Sequence, residues 1–153
     1  MNEVAVPNAV EPAEWFVVFH TRSTRRWLGW LARGRFKHVS AFASYPGFKA
    51  WLLFDPQWSG LRLMMLSHAA AKIEIARYTE DCAVVKIARG GKPMGLSARL
   101  GFYCVPAVAH LIGVRCGMAR PDAFYRHILR RGGKLIDGRE QGTGDPGRPE
   151  PGR

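Results

Sequence analysis

Apolar residues fall in short dense runs separated by turn-forming stretches, and the form of each run predicts an element. Trp15 to Phe19 is uninterrupted, of strand length and rich in β-favouring side chains, so it reads as a strand. Trp27, Trp30 and Leu31 recur at i, i+3 and i+4 behind Ser23 or Thr24 as a cap and ahead of Gly34 as a terminator, which predicts a short helix. Phe36 to Ala43 alternates loosely, Tyr45-Pro46-Gly47 signals a turn, and Phe48 to Phe54 is a further apolar run closed by Asp55-Pro56; together they predict a hairpin. Leu61 to Leu66 is the next strand. Ser67 can cap the alanine-rich helix expected from His68 to Tyr78, although the spacing of Ile73 and Ile75 also suits a strand.

Cys82 to Ala88, rich in Val and Ile, reads as a strand that stops at Gly90-Gly91. The stretch from Arg89 to Arg99 reads as a loop, and Cys104 to Gly113 as a buried helix. Pro106 is acceptable only in the first turn of that helix, where no backbone donor is lost, and this fixes the helix start near Cys104. Arg120-Pro121-Asp122 opens a last helix, Ala123 to Arg131, with Phe124 and Ile128, and His127 as a further candidate, on one face and Gly132-Gly133 ending it. Strands and helices in this order predict an α+β domain over residues 14–136, preceded by a loose arm, 1–13, and followed by a disordered Gly/Pro-rich tail, 137–153. There are no internal repeats.

Charge adds a second layer to this picture. The chain carries a formal net charge of +11 over 153 residues, and its cations are clustered. Arg22, Arg25, Arg26, Arg33, Arg35 and Lys37 form one block without acids, and further blocks lie between Lys86 and Arg99 and between Arg115 and Lys134. Such blocks suit a polyanion partner, nucleic acid or an acidic protein surface, and equally suit plain solubility. No segment is long and apolar enough to span a bilayer, so membrane association is not expected; a Trp-bearing basic helix around Trp27 and Trp30 is the one feature that argues otherwise. Cys82, Cys104 and Cys116 are odd in number, have no CxxC spacing and follow no signal segment, which places the protein in a reducing cytosol with free thiols.

Among these residues Cys104 has the best position for chemistry. A thiol at a helix N-terminus sees the positive end of the helix dipole and unsatisfied backbone donors, which favour thiolate and can also stabilise an oxyanion. A base is then required, held in one tautomer by a third polar group. His38, inside a predicted strand, is the candidate base, and Asp55, ending the neighbouring strand, the candidate orienting group, with Gln57 or Ser59 as substitutes. The competing reading is structural throughout: Cys104 as a small core residue, His38 as a satisfied histidine and Asp55 as a turn residue before Pro56. Cys82 and Cys116 have no partner pattern and read as structural. His20, His68, His110 and His127 have no ligand spacing with cysteines or carboxylates, so neither a metal nor a cofactor is expected. Gly90-Gly91-Lys92 lacks the rest of a phosphate-binding loop.

The segments Phe36-Lys37-His38-Val39-Ser40-Ala41-Phe42, Trp51-Leu52-Leu53-Phe54-Asp55-Pro56 and Tyr103-Cys104-Val105 resemble the circularly permuted papain-like cysteine hydrolases, the branch near the NlpC/P60 amidases in which the His strand precedes the Cys helix. The stretch from Cys104 through Val114 and on to Arg120-Pro121-Asp122-Ala123-Phe124-Tyr125 is also similar to small proteins of bacteriophage genomes. The likeness covers roughly Val17 to Leu135. It implies a papain-like fold, with the nucleophile's helix on a small antiparallel sheet that carries the base, and a thiol hydrolase or acyltransferase acting on an amide or ester. Cys104 is then the nucleophile, His38 the base and Asp55 the orienting group. The third polar residue of that family commonly lies on the strand after the His strand, which Asp55 meets only at the strand's end. A cell-wall amidase would also need a secretion signal, a lysis system or a virion to deliver it. The alternative function is a basic binding or virion-associated module without turnover.

Overall fold

The computed structural model describes residues 14–22, 34–57, 59–88, 104–115 and 119–136, together with Pro12 and Gly117. The N-terminal arm but for Pro12, the helix expected behind Ser23, the loop from Arg89 to Arg99, Cys116 and the tail from Asp137 lie outside the described residues. Strands β1 (Glu14–His20), β2 (His38–Tyr45), β3 (Ala50–Gln57) and β4 (Gly60–Ser67) are followed by helix α1 (His68–Asp81) and β5 (Cys82–Ile87). Helices α2 (Cys104–Leu111) and α3 (Pro121–Arg130) and the short strand β6 (Lys134–Ile136) complete an α+β fold. The strands form one sheet in the order β4-β3-β2-β1-β5-β6, with every neighbouring pair antiparallel.

The apolar run of β1 is uninterrupted because this central strand is covered on both faces. Trp15, Val17 and Phe19 join Val39, Ala41, Val85 and the apolar faces of α2 and α3 in one cluster. Phe16 and Val18 join Phe42, Leu53, Val84 and the inner face of α1 in the other. Burying a side chain such as Phe19, Phe42 or Phe124 stabilises the fold by roughly 2 kcal/mol each before entropy is counted.

Each helix has a local cause. Ser67 caps α1 by accepting from the Ala70 N–H at 3.2 Å. Ile73 is 71 % exposed and Ile75 4 %, which is the outcome of helical geometry, since residues two apart point to opposite sides; a strand would have put both on one face. In α2, Val105, Val108 and Ala109 turn inward, continued by Ile112. Gly113, at φ 71°, then closes the helix, with its own N–H on His110 O and the Val114 N–H on Ala109 O. Helix α3 starts at Pro121 rather than Ala123, because proline's fixed φ suits a first helical position whose N–H has no partner anyway.

Two further boundaries differ from the pattern-based expectation. Strand β3 starts at Ala50, since Pro46–Phe48 is a 3-10 turn, and it runs on through Asp55 and Pro56 to Gln57. Asp55 is therefore a strand residue, 8 % exposed, and not a strand terminator or turn residue. The proline is tolerated because the β2–β3 ladder stops at Ala41 opposite Phe54, so its missing N–H breaks no rung on that side, while pairing with β4 continues to Gln57 opposite Gly60. β6, paired with β5, is too short to show any alternation in sequence.

Candidate functional site

The end of the sheet at which β2 begins and β3 finishes gathers the polar side chains. Past the last β2–β3 rung the strands carry His38 on one side and Asp55 and Gln57 on the other. His38 Nε2 lies 2.6 Å from Asp55 Oδ1, and the Gln57 side-chain amide donates to Asp55 Oδ2 at 2.8 Å. Gln57 thus supports the carboxylate instead of replacing it. Cys104, the first residue of α2, stands close enough to the His38 ring for its thiol to favour the protonated imidazole. Nε2 is engaged by Asp55, so Nδ1 is the ring nitrogen that a thiol proton would have to reach. The three residues singled out from sequence meet at one place.

The electrostatics follow from these contacts. Burial, the largest influence on His38, disfavours its imidazolium form. The hydrogen bonds to Asp55 and Cys104, together with the negative charge each can carry, outweigh it and raise the pKa to about 9. Burial by itself would raise the Asp55 carboxyl, but the hydrogen bonds from His38 and Gln57 and the adjacent imidazolium hold it below its ordinary value. The pair therefore favours imidazolium and carboxylate at neutral pH.

The segment that delivers His38 is anchored from α3. Asp122, in the first turn of that helix, accepts from the backbone N–H groups of Arg35 at 2.9 Å and Phe36 at 3.4 Å. The Phe36 ring is buried against Phe19 and Tyr125, with centroids 5.3 and 4.9 Å apart. Gly34, at φ 131°, permits this approach, since a Cβ there would collide with the Asp122 carboxylate. The Lys37 N–H then bonds His20 O at 2.7 Å and leads into the β1–β2 ladder.

A feature not anticipated from sequence lies directly behind His38. His20 is the cross-strand partner of His38 and its ring is 5.2 Å away, tilted by 34°. His20 Nε2 is 2.8 Å from Ser40 Oγ, its Nδ1 is 3.6 Å from Cys82 Sγ, and Tyr78 of α1 packs edge-on at 5.0 Å. Burial, with the nearby His38 charge, lowers the His20 pKa to about 4, against a smaller opposing pull from Asp55. Burial likewise pushes the Cys82 thiol up, reinforced by Asp81. Its available signal was positional: β1 ends and β2 begins on a histidine, and antiparallel pairing of successive strands puts such residues opposite each other.

The other histidines have local roles. His68 Nδ1 accepts from Trp51 Nε1 at 3.0 Å, and His127 Nε2 donates to Arg115 O at 3.1 Å. Among the described residues no group of three or more His, Cys, Asp or Glu is arranged to hold a metal ion, and no helix is long and apolar enough to cross a membrane. No protein family, curated protein or solved structure matches the chain.

Proposed function

We propose that the protein is a papain-like thiol hydrolase or acyltransferase in which Cys104 is the nucleophile, His38 the general base and acid, and Asp55 the orienting carboxylate. The observation that carries this reading is the single imidazole held between a carboxylate at 2.6 Å and a thiol at the start of a helix. A helix packed on an antiparallel sheet that bears the base is the arrangement a papain-like fold requires. As Cys104 attacks, its proton passes to the neutral form of His38 at Nδ1, and Asp55 stabilises the imidazolium that forms.

The thiolate attacks the carbonyl carbon of an amide or ester, forming the C–S bond and placing negative charge on the carbonyl oxygen. The backbone N–H groups of Cys104 and Val105 open α2 without intrahelical partners and are the donors for that oxyanion; Pro106 has none to offer. Collapse breaks the bond to the leaving amine or alcohol, which takes the proton from His38. Water, or an acceptor nucleophile, then gives a proton to His38 and attacks the thioester, releasing the acyl product and restoring the thiol. Free Cys82 and Cys104 suit a reducing compartment, and the acyl chemistry needs no cofactor, so we place the enzyme in a host cytosol or, if phage-encoded, in a virion.

Iodoacetamide alkylation followed by peptide mapping tests the reading. At pH 7 Cys104 is expected to react roughly 10- to 30-fold faster than a free thiol, whose thiolate fraction is only about 3 %. Cys104→Ala removes the label without unfolding the protein, and His38→Gln brings Cys104 back to the free-thiol rate. A wild-type Cys104 no faster than free cysteine would reduce the protein to a basic binding module, whose mark is nucleic-acid binding that weakens steeply with salt.

A further inference from the structure

We infer that His20 is a positioning residue for the proposed nucleophile–base pair, acting as an uncharged wall that fixes the His38 ring and keeps water from the His38–Asp55 contact. The inference rests on the thiol–imidazole reading of Cys104 and His38. It starts from geometry: the two imidazoles are register partners on adjacent strands, with ring centres 5.2 Å apart. The proposed role needs His38 to keep Nε2 on Asp55 and Nδ1 available to Cys104, and a half-turn about its Cβ–Cγ bond would put ring carbons where both nitrogens stand. A fixed ring beside it restricts that rotation.

His20 is itself well held. Ser40, buried to 1 % exposure, meets one nitrogen, Cys82 Sγ meets the other, and Tyr78 closes a third side. The charged and titratable groups facing it are His38 from β2, Asp55 from β3, Cys82 from β5 and Tyr78 from α1. Only Asp55 favours a proton on His20, and that carboxylate is already bound by His38 and Gln57. An uncharged ring is what the position needs, because a second cation would compete for Asp55 and repel the His38 imidazolium.

Three variants separate this role from plain packing. His20→Phe retains a flat ring that cannot titrate, His20→Ala removes the wall, and Ser40→Ala frees one nitrogen while leaving the ring. Each is checked for folding by circular dichroism, then followed by histidine NMR titration and by the pH profile of Cys104 alkylation. In His20→Ala the His38 titration is expected to move from about 9 toward 6.5, with alkylation at pH 7 to 8 falling roughly 5- to 10-fold. His20→Phe is expected to stay within about 3-fold of wild type, with its upper titration retained, because solvent is still excluded. Ser40→Ala should fall between them. The inference is overturned if folded His20→Ala keeps the wild-type His38 titration and alkylation profile, or if His20→Phe is as impaired as His20→Ala. Wild-type Cys104 reacting like a free thiol would instead strike the nucleophile assignment, and the His38 titration in His20→Ala would still decide whether His20 shapes its neighbour.

Discussion

Cys104 with His38 and Cys82 with His20 are thiol–imidazole neighbours built from the same side chains, at the same end of one sheet, and the two imidazoles are driven in opposite directions. His38 is raised to about 9 and His20 lowered to about 4, although both are largely buried. What differs is the group on the far side of each ring: the Asp55 carboxylate at 2.6 Å for His38, the Ser40 hydroxyl at 2.8 Å for His20. A hydroxyl can satisfy a ring nitrogen but cannot supply the charge that offsets desolvation of an imidazolium. Cys82 is pushed up by burial with no imidazolium beside it, and a cysteine in that state is inert. A Cys–His neighbourhood thus does not by itself fix the charge of the imidazole; the anion behind the histidine does.

The most direct way to break the contrast is Asp55→Asn, which keeps the shape and removes the charge. Cys104 alkylation at pH 7 is expected to fall roughly 10-fold or more, with the His38 titration moving down toward 6.5. The reverse change, Ser40→Asp, supplies His20 with the missing carboxylate. It should raise the His20 titration by roughly 2 units, visible by NMR, at a cost in stability of a few kcal/mol for the buried charge. If His20 still titrates near 4 in that variant, the flanking anion is not the deciding term.

Stability against pH sharpens the comparison, because the two histidines act with opposite sign. His38 binds its proton more tightly in the folded state, so its contribution is complete below 6.5 and is lost as pH rises through about 9. His20 binds its proton less tightly when folded, so its contribution is complete above 6.5 and is lost as pH falls toward about 4. Together they place the optimum near pH 6.5, with declines of order 1 to 2 kcal/mol toward pH 9 and toward pH 4.5 in urea titrations. Asp55, lowered when folded, adds to the acid-side loss only below its ordinary carboxylate range. The smallest effect is expected from Cys82→Ser, which should leave Cys104 alkylation within about 2-fold of wild type.

Much of the secondary structure was legible locally. Proline and glycine placed both ends of α2, because Pro106 fits only a first turn and Gly113 supplies the left-handed cap, and that alone put Cys104 at a helix start. Ser67 and the Ala-rich stretch after it marked α1, and the apolar runs marked β1 and β5. Asp55 was the difficult residue. Asp before Pro ordinarily signals a turn, and only the early end of the β2–β3 ladder lets the strand carry both residues onward and bury the carboxylate.

The sequence by itself therefore determined that Cys104 opens a helix and that His38 lies on a strand, since caps, turns and periodicity are effects of residues a few positions apart. The pairing of strands distant in the chain decided the rest: that His20 stands opposite His38, that Asp55 and Gln57 reach one ring while Ser40 reaches the other, and hence which imidazole carries a proton. A pKa depends on desolvation and on charges a few ångströms away, and neither quantity exists for a residue until the sheet has assembled around it.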